Sequence, residues 1–306
     1  DVRVAMVCPD DYEVGMSYLG FPILYHILNK IEGVYAERAF APWVDMEEQM
    51  RGNNIPLFSL ETFSPLKDFD IIGFTFQYEL HSTGILNLID LSGLPVESKK
   101  RTSFPLVLLG GPSAFNPEPM ADFIDAAVIG DGEEIIVEIT ETVKRLKKKG
   151  ATKRDSLRAL AKIRGVYVPC FYEPEYRGAI FQGIRVVETG IPRRIKARTI
   201  PQLRKEHYPE KPIVPVIATT HDRVSLEIAR GCSRGCRFCN AGFIYRPVRE
   251  RPIDDVVEIA EKNIQSTGYD EVSLVSLSTS DYSDLIELLE KMSERLSPKM
   301  VNISFP

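Results

Sequence analysis

Residues Arg230-Gly231-Cys232-Ser233-Arg234-Gly235-Cys236-Arg237-Phe238-Cys239-Asn240 set three cysteines at C-x3-C-x2-C spacing, directly after the strand-like run Ser225–Ala229. Three thiolates so close can each take one iron of a cubane and leave its fourth iron without a protein ligand. Gly231 and Gly235 permit the tight turns that bring the sulfurs together. Arg230, Arg234 and Arg237 are expected to offset the negative charge of thiolates and sulfides. Two other readings stand beside this one. A zinc knuckle would need a fourth Cys or His, for which His221, eleven residues upstream of Cys232, is a candidate, although no second C-x2-C appears. A chance cluster of buried cysteines is the other.

The loop resembles the signature of the radical S-adenosylmethionine (SAM) superfamily, C-x3-C-x2-C with an aromatic residue before the last cysteine, here Phe238. The resemblance implies a 4Fe–4S cluster on Cys232, Cys236 and Cys239, SAM chelated to the free iron, and cleavage to a 5′-deoxyadenosyl radical on one-electron reduction by an external reductant. It also implies that Phe238 and Asn240 lie near the adenine. A second element of that superfamily, a small-residue motif after the second barrel strand that touches the SAM amino group, corresponds to Ser276-Leu277-Ser278-Thr279-Ser280-Asp281, with Ser278, Thr279 and Ser280 as the contact residues. The same segment also reads as an N-cap for a helix starting at Tyr282.

Working outward, a βα rhythm surrounds the cysteines. Ser225–Ala229, Val272–Leu277 and Val301–Phe305 are expected strands, and Ile253–Ser266 and Tyr282–Leu296 expected helices. An apolar last strand leads us to expect the start of a truncated, partial TIM barrel over residues 221–306, inactive by itself in SAM cleavage. Upstream, seven prolines between Pro169 and Pro215 predict an extended connector with one or two hairpins over residues 151–220. Residues 1–150 predict a doubly wound parallel α/β sheet. Its strands are Val2–Val7, Val34–Ala39, Ile71–Phe76, Leu106–Leu109 and Ala126–Ile129; its helices are Tyr18–Asn29, Ile85–Leu91 and Glu133–Lys149.

Asp11–Asn29, Leu109–Pro119 and Ile129–Glu134 resemble the cobalamin-binding type of Rossmann-like domain that often precedes a radical SAM barrel. The resemblance makes cobalamin a candidate cofactor, with Gly110 and Gly111 at the strand end where a doubly wound sheet receives its ligand. The loop Asp11-Tyr12-Glu13-Val14-Gly15 carries no cobalt-ligating histidine, and His26 and His81 read as ordinary helix or loop residues. Tyr12, Glu13, Tyr78 and Glu79 are expected on loops at the same edge. Cys8 and Cys170 read as small buried hydrophobes. Cys8 is the only cysteine of residues 1–150, which counts against a second cluster of the methylthiotransferase kind.

With 44% hydrophobic residues the chain is an ordinary globular protein rather than a disordered one. No apolar run is long enough to span a bilayer, and the strand at Val2 leads us to expect no leader before it. The cysteine usage points to a reducing cytosol. Charge is uneven: residues 144–237 carry 23 Lys and Arg against 8 Asp and Glu, which keeps an RNA substrate open beside a small molecule. The functional readings are therefore a radical SAM enzyme, in methylation or RNA modification, or a non-catalytic iron–sulfur or cobalamin-binding module.

Overall fold

Val2–Cys8 forms strand β1, in which every residue but Arg3 is buried. Such a strand needs cover on both faces, and the crossovers that follow supply it. After the single turn α1 (Tyr12–Gly15) and helix α2 (Gly20–Asn29) come β2 (Val34–Phe40), α3 (Val44–Gly52), β3 (Ile71–Thr75), α4 (His81–Leu91), β4 (Leu106–Gly110), β5 (Ala126–Val128), α5 (Gly132–Lys148), α6 (Lys153–Leu160) and β6 (Val166–Tyr167). A ribbon, β7 (Tyr172–Arg177) and β8 (Ile180–Val186), follows. The sheet runs β2-β1-β3-β4-β5-β6, with β6 alone antiparallel. In register, Val4 lies opposite Ile71, Ile71 opposite Leu106, and Leu108 opposite Ala126. The order reverses between β1 and β3, the switch point of a doubly wound sheet.

The computed structural model describes residues 1–305. They divide into two units: residues 1–15 with 27–199, and residues 16–26 with those from Ile200 onward. These limits differ from the expected boundaries at 150 and 220, because the first sheet takes its last strand from Val166–Tyr167 and its loops run on to Arg198, which bridges Gly130. The expected connector therefore contains real structure. Helix α6 starts on a capping box, Thr152 Oγ1 accepting from the Asp155 N–H while Asp155 accepts from the Thr152 N–H. Cys170 is exposed, contrary to expectation, on a turn that buries Pro169 and Phe171 instead. Cys8 is fully buried.

The second unit repeats strand and helix: β9 (Val224–Glu227), β10 (Ala229–Arg230), α7 (Ala241–Ile244), β11 (Arg249–Glu250), α8 (Ile253–Thr267), β12 (Glu271–Val275), α9 (Leu285–Leu296) and β13 (Asn302–Ser304). β9, β12 and β13 are parallel neighbours in chain order, with Val224 opposite Val272 and Glu271 opposite Asn302. Successive strands laid side by side, each followed by a helix, are how a βα barrel wall begins. Helix α8 buries Val256, Ile259, Ala260 and Ile264 and stops at Gly268, whose φ of 78° only glycine adopts freely. No helix among the described residues is long and apolar enough to cross a membrane.

A buried ionic cluster fastens α6 to the first sheet. Asp125 Oδ2 accepts from Lys153 Nζ at 2.8 Å and from the Val107 N–H at 2.7 Å. Arg101, 3.7 Å from the same carboxylate, donates to the carbonyls of Pro95, Val96 and Phe123. Burial pulls the Lys153 and Arg101 pKa values down, and Asp125 opposes it. Asp125→Ala would leave two buried cations without that carboxylate, so we expect a loss of about 3–5 kcal/mol in urea unfolding. A loss under about 1 kcal/mol, the level of a surface pair, would contradict the assigned role.

Candidate functional site

The cysteine loop leaves the sheet at the carboxyl end of β9 and β10. Ile228 interrupts the two strands, its N–H donating to the Val275 carbonyl while its own carbonyl accepts from Arg251 N–H. β10 then pairs antiparallel with β11, Arg230 opposite Arg249. Gly231 comes next, buried, with φ 94°; a Cβ there would lie 2.6 Å from the Tyr245 carbonyl oxygen and 2.7 Å from that of Pro247. Those two carbonyls are held by the buried guanidinium of Arg249, which donates to Pro247 O at 3.0 Å, Tyr245 O at 3.1 Å and Ile200 O at 3.2 Å. The loop thus enters its turn beneath a fixed backbone arch.

Arg251, also buried, secures the strand end. Its Nε donates to Glu227 O (3.0 Å) and its Nη1 to Leu203 O (3.1 Å), while Tyr282 OH donates to its carbonyl (2.7 Å). The Tyr208 ring lies 5.4 Å from the guanidinium, and its hydroxyl donates to Ser225 O. Burial lowers the Arg251 pKa and pushes Tyr282 up to about 12. Neither Arg249 nor Arg251 stood out in the sequence. An arginine-rich run before a helix reads as a solvated face, and only the tertiary structure shows which arginines turn inward.

Beyond Gly231 the loop opens. Cys232 and Cys239 are half-buried and Cys236 exposed; all three thiols are free. The Arg234 N–H donates to Cys232 Sγ at 3.5 Å, and the Cys239 N–H to the Cys236 carbonyl at 3.0 Å. Phe238 is 92% exposed, and Asn240 leads into α7, its carbonyl accepting from the Phe243 and Ile244 N–H groups. Of the three arginines expected to offset cluster charge, two already have carboxylates. Arg230 pairs with Glu227 through two contacts of 2.8 Å, and Arg234 grips Asp281, its Nε 2.7 Å from Oδ2. Arg237 makes no ion pair or hydrogen bond among the described residues, which leaves its cation to the loop.

The Arg234–Asp281 pair joins the cysteine loop to the segment after β12, so the two stretches singled out in the sequence adjoin. Ser278 Oγ donates to Asp281 at 2.7 Å, and with Arg234 it holds that carboxyl below its ordinary range. Thr279 is buried and shares a 2.9 Å hydrogen bond with Ser276. Ser280 is exposed, and its hydroxyl makes no hydrogen bond among the described residues. The segment makes a 3-10 turn, Thr279–Asp281, and does not cap α9, which begins only at Leu285 with Asp284 at its N-cap. The expected capping role is thereby corrected: Ser278 and Asp281 satisfy each other and Arg234 instead.

Among the described residues, no three His, Cys, Asp or Glu side chains stand gathered to hold a metal ion. The donor set nonetheless suits an iron–sulfur cluster: three soft thiols on one loop, with Gly235 at φ 64° in open space so that the backbone can turn the sulfurs inward. His221 does not suit a zinc site with them. It precedes β9 while the cysteines follow it, and its Nδ1 faces Arg223 Nη2 at 3.4 Å.

In the first unit, the carboxyl ends of β1 and β3 bring His81 to Asp10, Nε2 to Oδ2 at 2.8 Å, while the Gln77 N–H donates to Nδ1 at 3.3 Å. Nδ1 as acceptor leaves the ring proton on Nε2, directed at the carboxylate, so both nitrogens are engaged. Tyr78 lies against the same ring, centroids 4.2 Å apart, and Tyr12 packs edge-on to Phe40 at 5.1 Å. Gly110 ends β4. Gly111, at φ 126°, has a packing duty of its own: a Cβ would lie 2.6 Å from the Phe76 carbonyl oxygen.

Two family descriptions match the chain: radical SAM proteins, N-terminal, over residues 20–169, and the radical SAM superfamily over residues 226–305. The uncharacterized protein MJ0966 of Methanocaldococcus jannaschii is 25% identical over 302 residues, covering 97% of this chain and 54% of that protein. The ribosomal protein uS12 methylthiotransferase RimO of Dechloromonas aromatica is 35% identical over 83 residues, 26% of this chain and 19% of RimO. Among solved structures, the radical SAM methyltransferase TsrM of Kitasatospora setae, with cobalamin and a [4Fe-4S] cluster bound, superposes with a TM-score of 0.59 at 15% identity, over 99% of this chain and 54% of TsrM. The chain thus spans about half the length of the first relatives it matches.

The two loop glycines separate the constraints on the loop. Gly231→Ala meets two carbonyl oxygens and a positive φ, whereas Gly235→Ala meets only the φ. We expect urea unfolding to register roughly 1 kcal/mol for Gly235→Ala and at least twice that for Gly231→Ala. Equal losses would show that the arch does not hold the loop.

Proposed function

Because the chain is a radical SAM protein with an N-terminal domain, we propose that Cys232, Cys236 and Cys239 hold a 4Fe–4S cluster whose open iron takes SAM. When bound and reduced by an external one-electron donor, that cluster supplies reductive cleavage of SAM to a 5′-deoxyadenosyl radical. The observation that carries the reading is the Arg234–Asp281 pair, which sets the serine-rich segment beside the cysteine loop. In this reading Phe238, exposed at the loop tip, lies against the adenine, with the Asn240 backbone next to it. Ser280 offers its exposed hydroxyl to the SAM ammonium. Ser278 and Thr279, whose hydroxyls are taken up within the segment, shape its turn. The guanidinium of Arg237 answers part of the cluster's negative charge.

We assign turnover to a polypeptide of the length of its relatives, acting in the cytosol on a small molecule or an RNA, with methylation as one outcome. Cobalamin is the candidate ligand of the first sheet's carboxyl edge, near Gly110 and Gly111. His81 is engaged at both nitrogens, by the Gln77 N–H and by Asp10, so its ring is not a residue that would hold the cofactor. The second reading is a non-catalytic iron–sulfur or cobalamin-binding module.

Anaerobic reconstitution of the 306-residue chain with iron and sulfide tests the proposal. We expect about four irons per chain, an electron paramagnetic resonance signal of the reduced cluster that shifts when SAM is added, and loss of both in Cys236→Ala. Zinc, or no metal, would end the proposal. A cluster blind to SAM would favour the non-catalytic module.

A further inference from the structure

We infer that one face of the β7–β8 ribbon, with the strap of chain that crosses its base, is a docking surface for single-stranded RNA. Two-stranded ribbons gain little stability alone, and this one is bare: every residue of β7 after Tyr172 is exposed, as are five of seven in β8. The cross-strand pairs Tyr172–Val186, Pro174–Ile184 and Tyr176–Phe181 lie on one face. They make an apolar strip that starts in the core at Tyr172 and ends at two aromatic rings, Tyr176 61% and Phe181 55% exposed, with centroids 5.7 Å apart. Tyr172 OH donates to Pro192 O at 2.7 Å, so the strap passes on that same face.

Charge identifies the occupant. The acidic residues of the ribbon and strap are all answered: Glu173 and Glu175 by Arg185, and Glu188 by Arg154 and Arg158. Arg185 is spent on those carboxylates and Arg198 on Glu134 and Glu138, but four cations are not answered. Arg177 at the ribbon's turn, and Arg193, Arg194 and Lys196 in the strap, are exposed and make no ion pair or hydrogen bond among the described residues. Exposed aromatic rings, packed edge to face, on the face crossed by a strap of free cations suit a chain that alternates planar bases with phosphates. A protein partner would need both apolar contacts and a matching set of carboxylates, and double-stranded RNA would offer no base faces to the rings. This inference does not depend on the cluster or on SAM.

The test is fluorescence anisotropy of the 306-residue chain with a labelled 12-nucleotide oligouridine, titrated at several salt concentrations. Tyr176→Ala with Phe181→Ala is expected to weaken binding roughly tenfold or more. Arg193→Ala with Arg194→Ala is expected to flatten the log–log salt slope by about 1.4, near 0.7 per lost phosphate contact. All four side chains are exposed, and circular dichroism checks that the variants fold. Absence of binding at low salt, equal binding by both variants and the parent, or equal affinity for a duplex would each overturn the inference. So would self-association of the parent that the aromatic variant abolishes, since the face would then join two copies of the chain.

Discussion

The guanidinium of Arg249 is buried and donates to three backbone carbonyls, and through them it fixes where the cysteine loop begins. Tyr245 and Pro247 approach the Gly231 backbone closely enough to exclude any side chain there. Charge-assisted hydrogen bonds of this kind are worth about 1.5–3 kcal/mol each, enough to hold a turn that would otherwise relax. Arg251 does the same for the strand beneath, tying Glu227 to Leu203. The result is a rigid base under a loop that is itself open from Ser233 to Phe238. Such a division, with a base that sets the direction of the loop and free thiols above it, suits a ligand brought in from outside.

The electrostatics of the loop are more balanced than its composition implies. Three arginines among eight residues suggest a strongly cationic site, yet Arg230 and Arg234 bring their own carboxylates. Arg234 in effect acts as a tether, exchanging charge for position by drawing Asp281 and the serines beside it to the cysteines. The remaining cation, Arg237, lies between Cys236 and Phe238. The field at the loop is therefore much weaker than three unpaired guanidiniums would make it.

How legible the molecule was in its sequence depended on whether the deciding contact was local. Strands β3, β4 and β5, and β1 apart from Arg3, could be read because largely apolar runs report burial on both faces; β2 carries Glu37 and Arg38 within its run, and the observed limits of all five fall within a residue or so of expectation. Helix α3 escaped because it buries only Met50 and shows no apolar stripe. Helix α6 escaped because its inward residues include Lys153, made burial-compatible by Asp125 on a different element; its capping box, Thr152 and Asp155, was the available signal. The three cysteines stood out by spacing alone, without any contact to another element, since their spacing is the motif. Gly231 beneath Tyr245 and Pro247, and Arg234 on Asp281, link positions that sequence pattern does not connect.

The glycines at the carboxyl edge of the first sheet answer to packing. Gly111 lies against the Phe76 carbonyl and Gly130 against the backbone of Arg198, each at a positive φ and each nearer than a Cβ would allow. Their conformations are fully explained by those contacts, so neither needs a ligand to account for it. His81 is likewise explained by Asp10 and the Gln77 N–H. Glycines and a histidine at a strand end therefore do not by themselves mark a cofactor in this fold. A ligand at this edge would have to be recognised by groups that those contacts leave free.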